Sequence, residues 1–267
     1  MRLEADKPRA IAAGFRKESD LSEPVDILLR RLKSIMSLSD RDQEIIAGLP
    51  MEVKTFADGT DIVREGQRTE HCFTVLEGLA GSYKFTGDGN RQIPSLYVPG
   101  DVPDLTSLHL SHMDTGYRVL TRATLGFMPH RAIHEACSMS YGVTGVLWRV
   151  TLIDAAIFRE WLTNIGQRST IARLAHIFCE MYVRYEAVGL VDGDTYSLPL
   201  TQQELGDAIG TSTVHVNRVV QELRGRKLIH WADGRLKVLN MMDLIEVGDF
   251  DPAYLHLSHA SPKAVSE

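Results

Sequence analysis

Residues 198–240 constrain the fold of this chain more than any other stretch. Thr201-Gln202-Gln203-Glu204 is a capping box, in which the threonine oxygen accepts a backbone N–H and the glutamate reaches back to the N-cap. It opens a helix with Leu205, Ala208 and Ile209 inward. Gly210 ends that helix, and Thr211 and Ser212 supply the cap of the next. In the second helix Val216, Val219, Val220 and Leu223 form the buried stripe, and Val214, Asn217, Arg218 and Gln221 share the opposite face. Two short helices joined by a glycine turn predict a helix-turn-helix. Leu228-Ile229-His230-Trp231, Ala232-Asp233-Gly234 and Arg235-Leu236-Lys237-Val238 then predict a hairpin wing.

The outward residues are of the types that read base edges: arginine is bidentate to guanine, and asparagine or glutamine to adenine. Charge points the same way. The stretch holds six basic and four acidic residues, in a chain with 29 basic and 35 acidic residues and a net charge of −6. Such a chain is no bulk polyanion binder, so a nucleic-acid surface must be local, and here the positive charge is concentrated. Two helices that merely pack together would show the same apolar spacing, so the order of the other segments matters.

From about residue 51 to 130, short β-branched or aromatic runs alternate with glycine turns. The runs are Asp61-Ile62-Val63, Cys72-Phe73-Thr74-Val75-Leu76, Gly81-Ser82-Tyr83-Lys84-Phe85 and Ile93-Pro94-Ser95-Leu96-Tyr97-Val98. Strands of four to six residues at this spacing predict a β-sandwich or roll. Ahead of it, Pro24 opens a short helix with Val25, Leu28, Leu29, Leu32 and Ile35 on one face, and Ser39 caps a second. Residues 1–23 carry ten charged residues and no apolar periodicity, which predicts a flexible arm over 1–24. After the roll, helix returns. Val143, Leu147, Val150, Ile157 and Trp161 sit at alternating steps of four and three with Asp154 in one slot, a coiled-coil seam or a helix packed on its own sheet. A further helix is predicted over 167–187, with Ile171, Leu174, Ala175, Phe178 and Met181 inward.

Three cysteines, Cys72, Cys137 and Cys179, are far apart and form no Cys-x-x-Cys pair, which argues against a zinc ribbon or a thioredoxin motif and fits a reducing cytoplasm. No uninterrupted run of about 18 apolar residues occurs, so neither a membrane span nor a membrane partner is expected. Gly-x-Gly-x-x-Gly, His-Glu-x-x-His and Gly-x-Ser-x-Gly are missing, so no enzyme class finds support.

Two sets of residues carry a resemblance. Ile62-Val63-Arg64-Glu65-Gly66 followed by Phe73-Thr74-Val75-Leu76-Glu77-Gly78 is similar to the β-roll glycine pattern of the Crp/Fnr superfamily of bacterial transcription regulators. Leu200 through Gly206, Gly210, Asn217-Arg218, Leu223 and Leu228-Ile229 are similar to that family's winged helix-turn-helix. The resemblance implies an α+β protein: an N-terminal cyclic-nucleotide-binding-like β-roll sensor over 25–135, a long dimerisation helix over 136–166, a winged helix-turn-helix over 167–245 and a tail over 246–267. It implies a cytoplasmic homodimer that binds double-stranded promoter DNA and works with RNA polymerase. A ligand-binding regulatory module whose DNA-binding role is secondary or lost is the alternative. By the resemblance Thr201, Gln202, Ser212, Thr213 and His215 fall on phosphate-contacting positions, and Arg218 on the main base-reading arginine, with Asn217 and Gln221 beside it. Val214 stands where many members place a glutamate, so the familiar half-site is not expected.

On the sensor side, Gly100, Asp101, Asp114, Thr115 and Arg118 are the candidate effector-pocket residues. Asp114 falls where cyclic-nucleotide members carry the phosphate-binding arginine, and a carboxylate there repels a phosphate. Arg118 is the alternative phosphate partner. No cAMP dependence is therefore expected, and no iron–sulfur cluster, because no cysteine precedes Cys72. His109 and His112, three apart in the same loop, suit a polar surface loop better than haem or a metal.

Overall fold

A computed structural model describes residues 24–258. The arm expected over 1–24 lies outside the described residues except for Pro24, as does the tail beyond Ser258. Helix α1 (Val25–Ile35) buries Leu28, Leu32 and Ile35. Helix α2 (Asp40–Ala47) starts at Ser39, whose side chain accepts from the Asp42 backbone while Asp42 reaches back.

Seven strands follow: β1 (Glu52–Phe56), β2 (Asp61–Val63), β3 (His71–Glu77), β4 (Ala80–Phe85), β5 (Arg91–Tyr97), β6 (Gly116–Val119) and β7 (Ala123–Pro129). They form two antiparallel sheets, ordered β1-β7-β3 and β2-β6-β4-β5. Phe73, Val75, Tyr97, Met113, Tyr117 and Leu125 fill the space between them. The four strands expected from the sequence are β2 to β5. Of the other three, β1 and β7 lacked the signal for physical reasons. Strand β1 is an exposed edge without apolar alternation. Strand β7 is diluted by Gly126, whose missing side chain admits Met51; a Cβ there would lie 2.3 Å from the Met51 sulfur.

Three helices lead onward: α3 (His130–Met139), α4 (Tyr141–Gln167) and α5 (Thr170–Ala187). The single helix expected over 136–166 is broken at Ser140, which turns extended and caps α4 with its hydroxyl. The seam expected at Val143, Leu147, Val150, Ile157 and Trp161 faces the protomer's own core. Val143, Ile157 and Trp161 are buried there, and Leu147 and Val150 pack against it. The outward face is a second stripe, two residues out of phase and so about 200° around the helix. Tyr141, Gly145, Trp148, Leu152, Ala155, Arg159, Leu162 and Gly166 follow the same steps of four and three. Tyr141 is 91% exposed, Trp148 66%, Leu152 55% and Leu162 67%. Helix α4 is also long and apolar enough to cross a membrane by length and composition. Counting uninterrupted apolar residues did not reveal that, because Arg149, Asp154, Arg159 and Glu160 interrupt the run.

The C-terminal part holds β8 (Thr195–Ser197), α6 (Gln202–Ile209), α7 (Thr213–Gly225), β9 (Ile229–Ala232), β10 (Arg235–Val238) and α8 (Met241–Gly248), with a 3-10 turn over Pro252–Leu255. The stretch expected as a tail from 246 is ordered up to Ser258, because Phe250 and Leu255 bury their side chains.

A buried ionic chain joins the two halves. Asp101, in the turn after β5, accepts from Arg31 of α1 at 2.8 Å and from Arg184 of α5 at 2.6 Å. Arg184 also pairs with Glu180 at 2.8 Å. Burial alone would raise the Asp101 carboxyl, but Arg184, Arg31 and the Val98 N–H outweigh it and hold it below the usual range. Gly100 brings the turn close enough: its φ is +94°, and a Cβ would sit 2.6 Å from the Arg31 Cβ. Asp154 of α4 faces Arg31, Asp101 and Arg184 across a small cavity. Burial pushes its carboxyl up to about 6 against the pull of Arg184.

Removing one partner from a buried pair leaves the other charge uncompensated. Arg184→Ala is expected to cost about 3–5 kcal/mol in urea unfolding at neutral pH. Asp154 gives a pH signature of known sign. Its folded pKa lies above its unfolded one, so its contribution is present at low pH and is lost as pH rises from about 4 to about 6. Asp154→Asn should therefore gain stability on the wild type across that window and keep a constant lead above it, measured by denaturation at a series of pH values.

Candidate nucleic-acid interface

Helix α6 begins at Thr201, whose hydroxyl accepts from the Glu204 backbone while Glu204 reaches back to the Thr201 N–H at 2.8 Å. It ends at Gly210, in the left-handed region at φ +68°. The turn then passes so close to Gly206 that a Cβ there would lie 2.7 Å from the Thr211 carbonyl oxygen. That contact fixes the angle between the two helices, and only glycine permits it. Ser212 caps α7 by accepting from the His215 N–H.

Val216, Val219, Val220 and Leu223 bury one side of α7. Val214, Asn217, Arg218 and Gln221 are exposed together on the other, Val214 by 72%. Among the described residues no ion pair or hydrogen bond engages the Arg218 side chain. Ser212 and Thr213 are exposed at the start of α7, Thr201 at the start of α6, and Gln202 and His215 are half-buried beside them. The nine residues singled out from the sequence thus line one helix face and two helix N-termini.

The wing is the sheet β8-β10-β9, with Arg235 opposite Ala232 and Val238 opposite Ile229. Its turn is Asp233-Gly234, both at positive φ, the backbone a two-residue hairpin needs. His230, Arg235 and Lys237 point outward. Trp231 points in, and its indole N–H donates to the Leu198 carbonyl at 3.0 Å.

A clasp that sequence reasoning missed holds this unit to the sensor. Arg91 of β5 pairs with Asp207 of α6 at 2.8 Å, and the Gln92 amide donates to the Ala208 carbonyl at 3.1 Å. The partners lie 116 residues apart, and each is an ordinary charged or polar residue in its own segment.

The sensor candidates are not brought together. Asp101 and Gly100 face α1 and α5, where Arg31 and Arg184 occupy the carboxylate. Asp114, Thr115 and Arg118 lie beside β2 and β4: Lys84 donates to the Asp114 carbonyl, the Thr115 hydroxyl to the Tyr83 carbonyl, and Arg118 pairs with Asp61 at 2.7 Å over the Tyr83 ring. Asp101 thus serves as a structural anchor, its carboxylate taken by Arg31 and Arg184. Asp104, which the sequence did not single out, is buried in the roll wall and accepts from the Phe73 N–H. Burial pushes its carboxyl up to about 8. Cys72 and Cys179 are buried, which pushes both thiols up, and with Cys137 they occupy three separate elements. Among the described residues no group of three histidine, cysteine or acidic side chains is placed to hold a metal ion.

Two family models match the chain. Residues 53–140 match a cyclic nucleotide-binding domain and residues 172–247 a Crp-like helix-turn-helix domain, more than half of the chain between them. The chain belongs to the Crp/Fnr family. It is a DNA-binding transcription regulator. Among curated Crp/Fnr relatives it is similar to the nitrogen fixation regulation protein FixK of Rhizobium meliloti, 26% identical over 70% of this chain and 82% of that one. It is also similar to the transcriptional activator FnrL of Cereibacter sphaeroides, 22% identical over 64% and 69%. Among solved Crp/Fnr folds, FixK2 of Bradyrhizobium japonicum superposes with a TM-score of 0.67 at 20% identity, covering 74% of this chain and 98% of that one.

The base-reading role expected of Arg218 and the phosphate-contacting role expected of Gln202 make different predictions. A bidentate base contact is worth about 1–3 kcal/mol and carries sequence information, whereas a phosphate contact carries none. Arg218→Ala should therefore abolish preference for the specific site, and Gln202→Ala should weaken binding on all sequences alike. Competition binding on specific and random DNA distinguishes them; equal losses on both for both variants would contradict the assignment.

Proposed function

We propose that this regulator binds a pseudo-palindromic promoter site as a homodimer paired through the outward face of α4, and that it does so without a cyclic nucleotide. The observation that carries the reading is the exposed apolar stripe of α4. One face of the helix is already committed to the protomer's core, so a bilayer would have to strip that packing away. The other repeats at the spacing of a two-stranded coiled coil, with Gly145 and Ala155 allowing close approach and Phe158 flanking the slot of Arg159. A second copy of the same helix fits it, and a two-fold axis there would set two recognition helices one turn of DNA apart, about 34–36 Å.

Three features support independence from cyclic nucleotide. The space between the roll's sheets is filled by Phe73, Tyr97, Met113 and Tyr117. The arginine position is Asp114. Arg118, the alternative, is already paired with Asp61, which raises its pKa further. A cyclic phosphate placed there would be buried without a charge-assisted partner. We further propose cytoplasmic action on RNA polymerase as an activator, a reading supported by relatives described as transcriptional activators.

Mass in solution and DNA footprinting test the first part. A dimer protecting a two-fold symmetric site is expected, and a monomer on a single asymmetric site would refute the reading. For the second, titration calorimetry with cAMP and cGMP should show no tight binding. Micromolar binding of either would refute that independence, and loss of that binding in Arg118→Ala would then identify Arg118 as the phosphate ligand.

A further inference from the structure

The chain from Asp249 to Ser258 lies beyond the helix-turn-helix match, which ends at residue 247. It leaves α8 through Asp249 at φ +45° and turns again at His256 at φ +48°. Neither is glycine, and such backbone persists where surrounding contacts hold it.

The contacts are specific. His176, buried in α5, bonds through Nδ1 to the Gly248 carbonyl at 3.1 Å and through Nε2 to the Tyr254 hydroxyl at 3.0 Å. Its ring stacks on Tyr254 and meets Phe250 edge-on. The Tyr254 hydroxyl, whose single proton is directed to Glu180, lies 2.7 Å from that carboxylate, which also takes the Trp161 indole N–H of α4 at 2.8 Å. Arg168, in the two-residue link between α4 and α5, donates to the Asp249 carbonyl at 3.1 Å while pairing with Glu160 of α4. Farther on, Arg149 of α4 donates to the His256 carbonyl, and the Ser258 N–H donates to the Ser34 carbonyl in α1 at 2.7 Å.

We propose that residues 249–258 are a strap that fixes the angle of the helix-turn-helix domain against α4, with Tyr254 and Arg168 as its positioning residues. Resting on the dimer reading above, the strap sets the separation of the two recognition helices. The link it spans is short, but the lever beyond it is long. The 18 residues of α5 measure about 27 Å, so a 10° change at the link would move an unpinned far end by about 5 Å, more than one base-pair step; the strap holds the link end of α5 as the Arg184–Asp101 pair holds the other.

The test uses the full-length dimer on operators whose half-site spacing is varied one base pair at a time. Two variants are compared with the wild type: a chain ending at Gly248, and Tyr254→Phe, which keeps the ring packing and removes only the hydroxyl. The wild type should prefer one spacing sharply. In the variants the preference should relax by about tenfold, equivalent to 1.4 kcal/mol, while affinity for an isolated half-site is retained. If the truncated chain does not fold, Tyr254→Phe alone decides. A sharp wild-type preference that the folded variants keep unchanged would overturn the strap and leave the dimer standing. A uniform loss at every spacing would also overturn it, since that reports lost stability and not lost positioning. A wild type indifferent to spacing would overturn the dimer reading and the strap together.

Discussion

Two arginines on one carboxylate hold this molecule in its arrangement. Asp101 sits on the sensor, Arg31 on the leading helix, and Arg184 on the helix that enters the DNA-binding domain. A buried carboxylate with one guanidinium would be poorly compensated; with two, and Glu180 balancing the second, charge and hydrogen bonding nearly close. The net charge of the group is then decided by Asp154, the one member whose carboxyl is pushed toward neutral pH. The sensor wall, the long helix and the reading unit are thereby parts of one polar core.

A second connection runs along the surface. Lys84 of β4 touches the Asp114 carbonyl and Glu65, and beside it at the turn end of the same hairpin, where Lys84 lies opposite Gln92, Arg91 and Gln92 of β5 hold α6. The loop of Asp114 is in this way contiguous with the first helix of the reading unit. Contiguity supplies a route; a two-state element is what would turn it into a switch. The surface pair is also the weaker of the two connections, because water and salt screen it more than the buried one.

What was legible in the sequence was local. Caps, the left-handed glycine, the Asp-Gly turn and the inward valines all fall within a few residues of one another, so the helix-turn-helix and wing were readable, with the exposed face of α7. The strands with strong apolar runs were readable too. What was not legible joins distant segments. Neither Arg184 nor Asp101 advertises its partner, and Arg91 and Asp207 look like surface charges. The long helix misled for a different reason. It carries apolar residues at four-and-three spacing on two faces, and spacing alone does not say which one the sheet covers. Asp154, which fills one slot of the seam, points into the ionic core.

The distance along the chain between Asp101 and Arg184, 83 residues, has a consequence for synthesis. At about 5–20 residues per second, the Asp101 carboxylate emerges roughly 4–17 seconds before the guanidinium that completes its charge balance. Through that interval Arg31 alone faces the carboxylate, and the turn around Gly100 has only half of its electrostatic support. The nascent sensor is therefore provisional until α5 follows. A ribosome that stalls after β7 is complete at residue 129 but before residue 184 would leave a β-roll whose buried Asp101 has one of its two guanidinium partners.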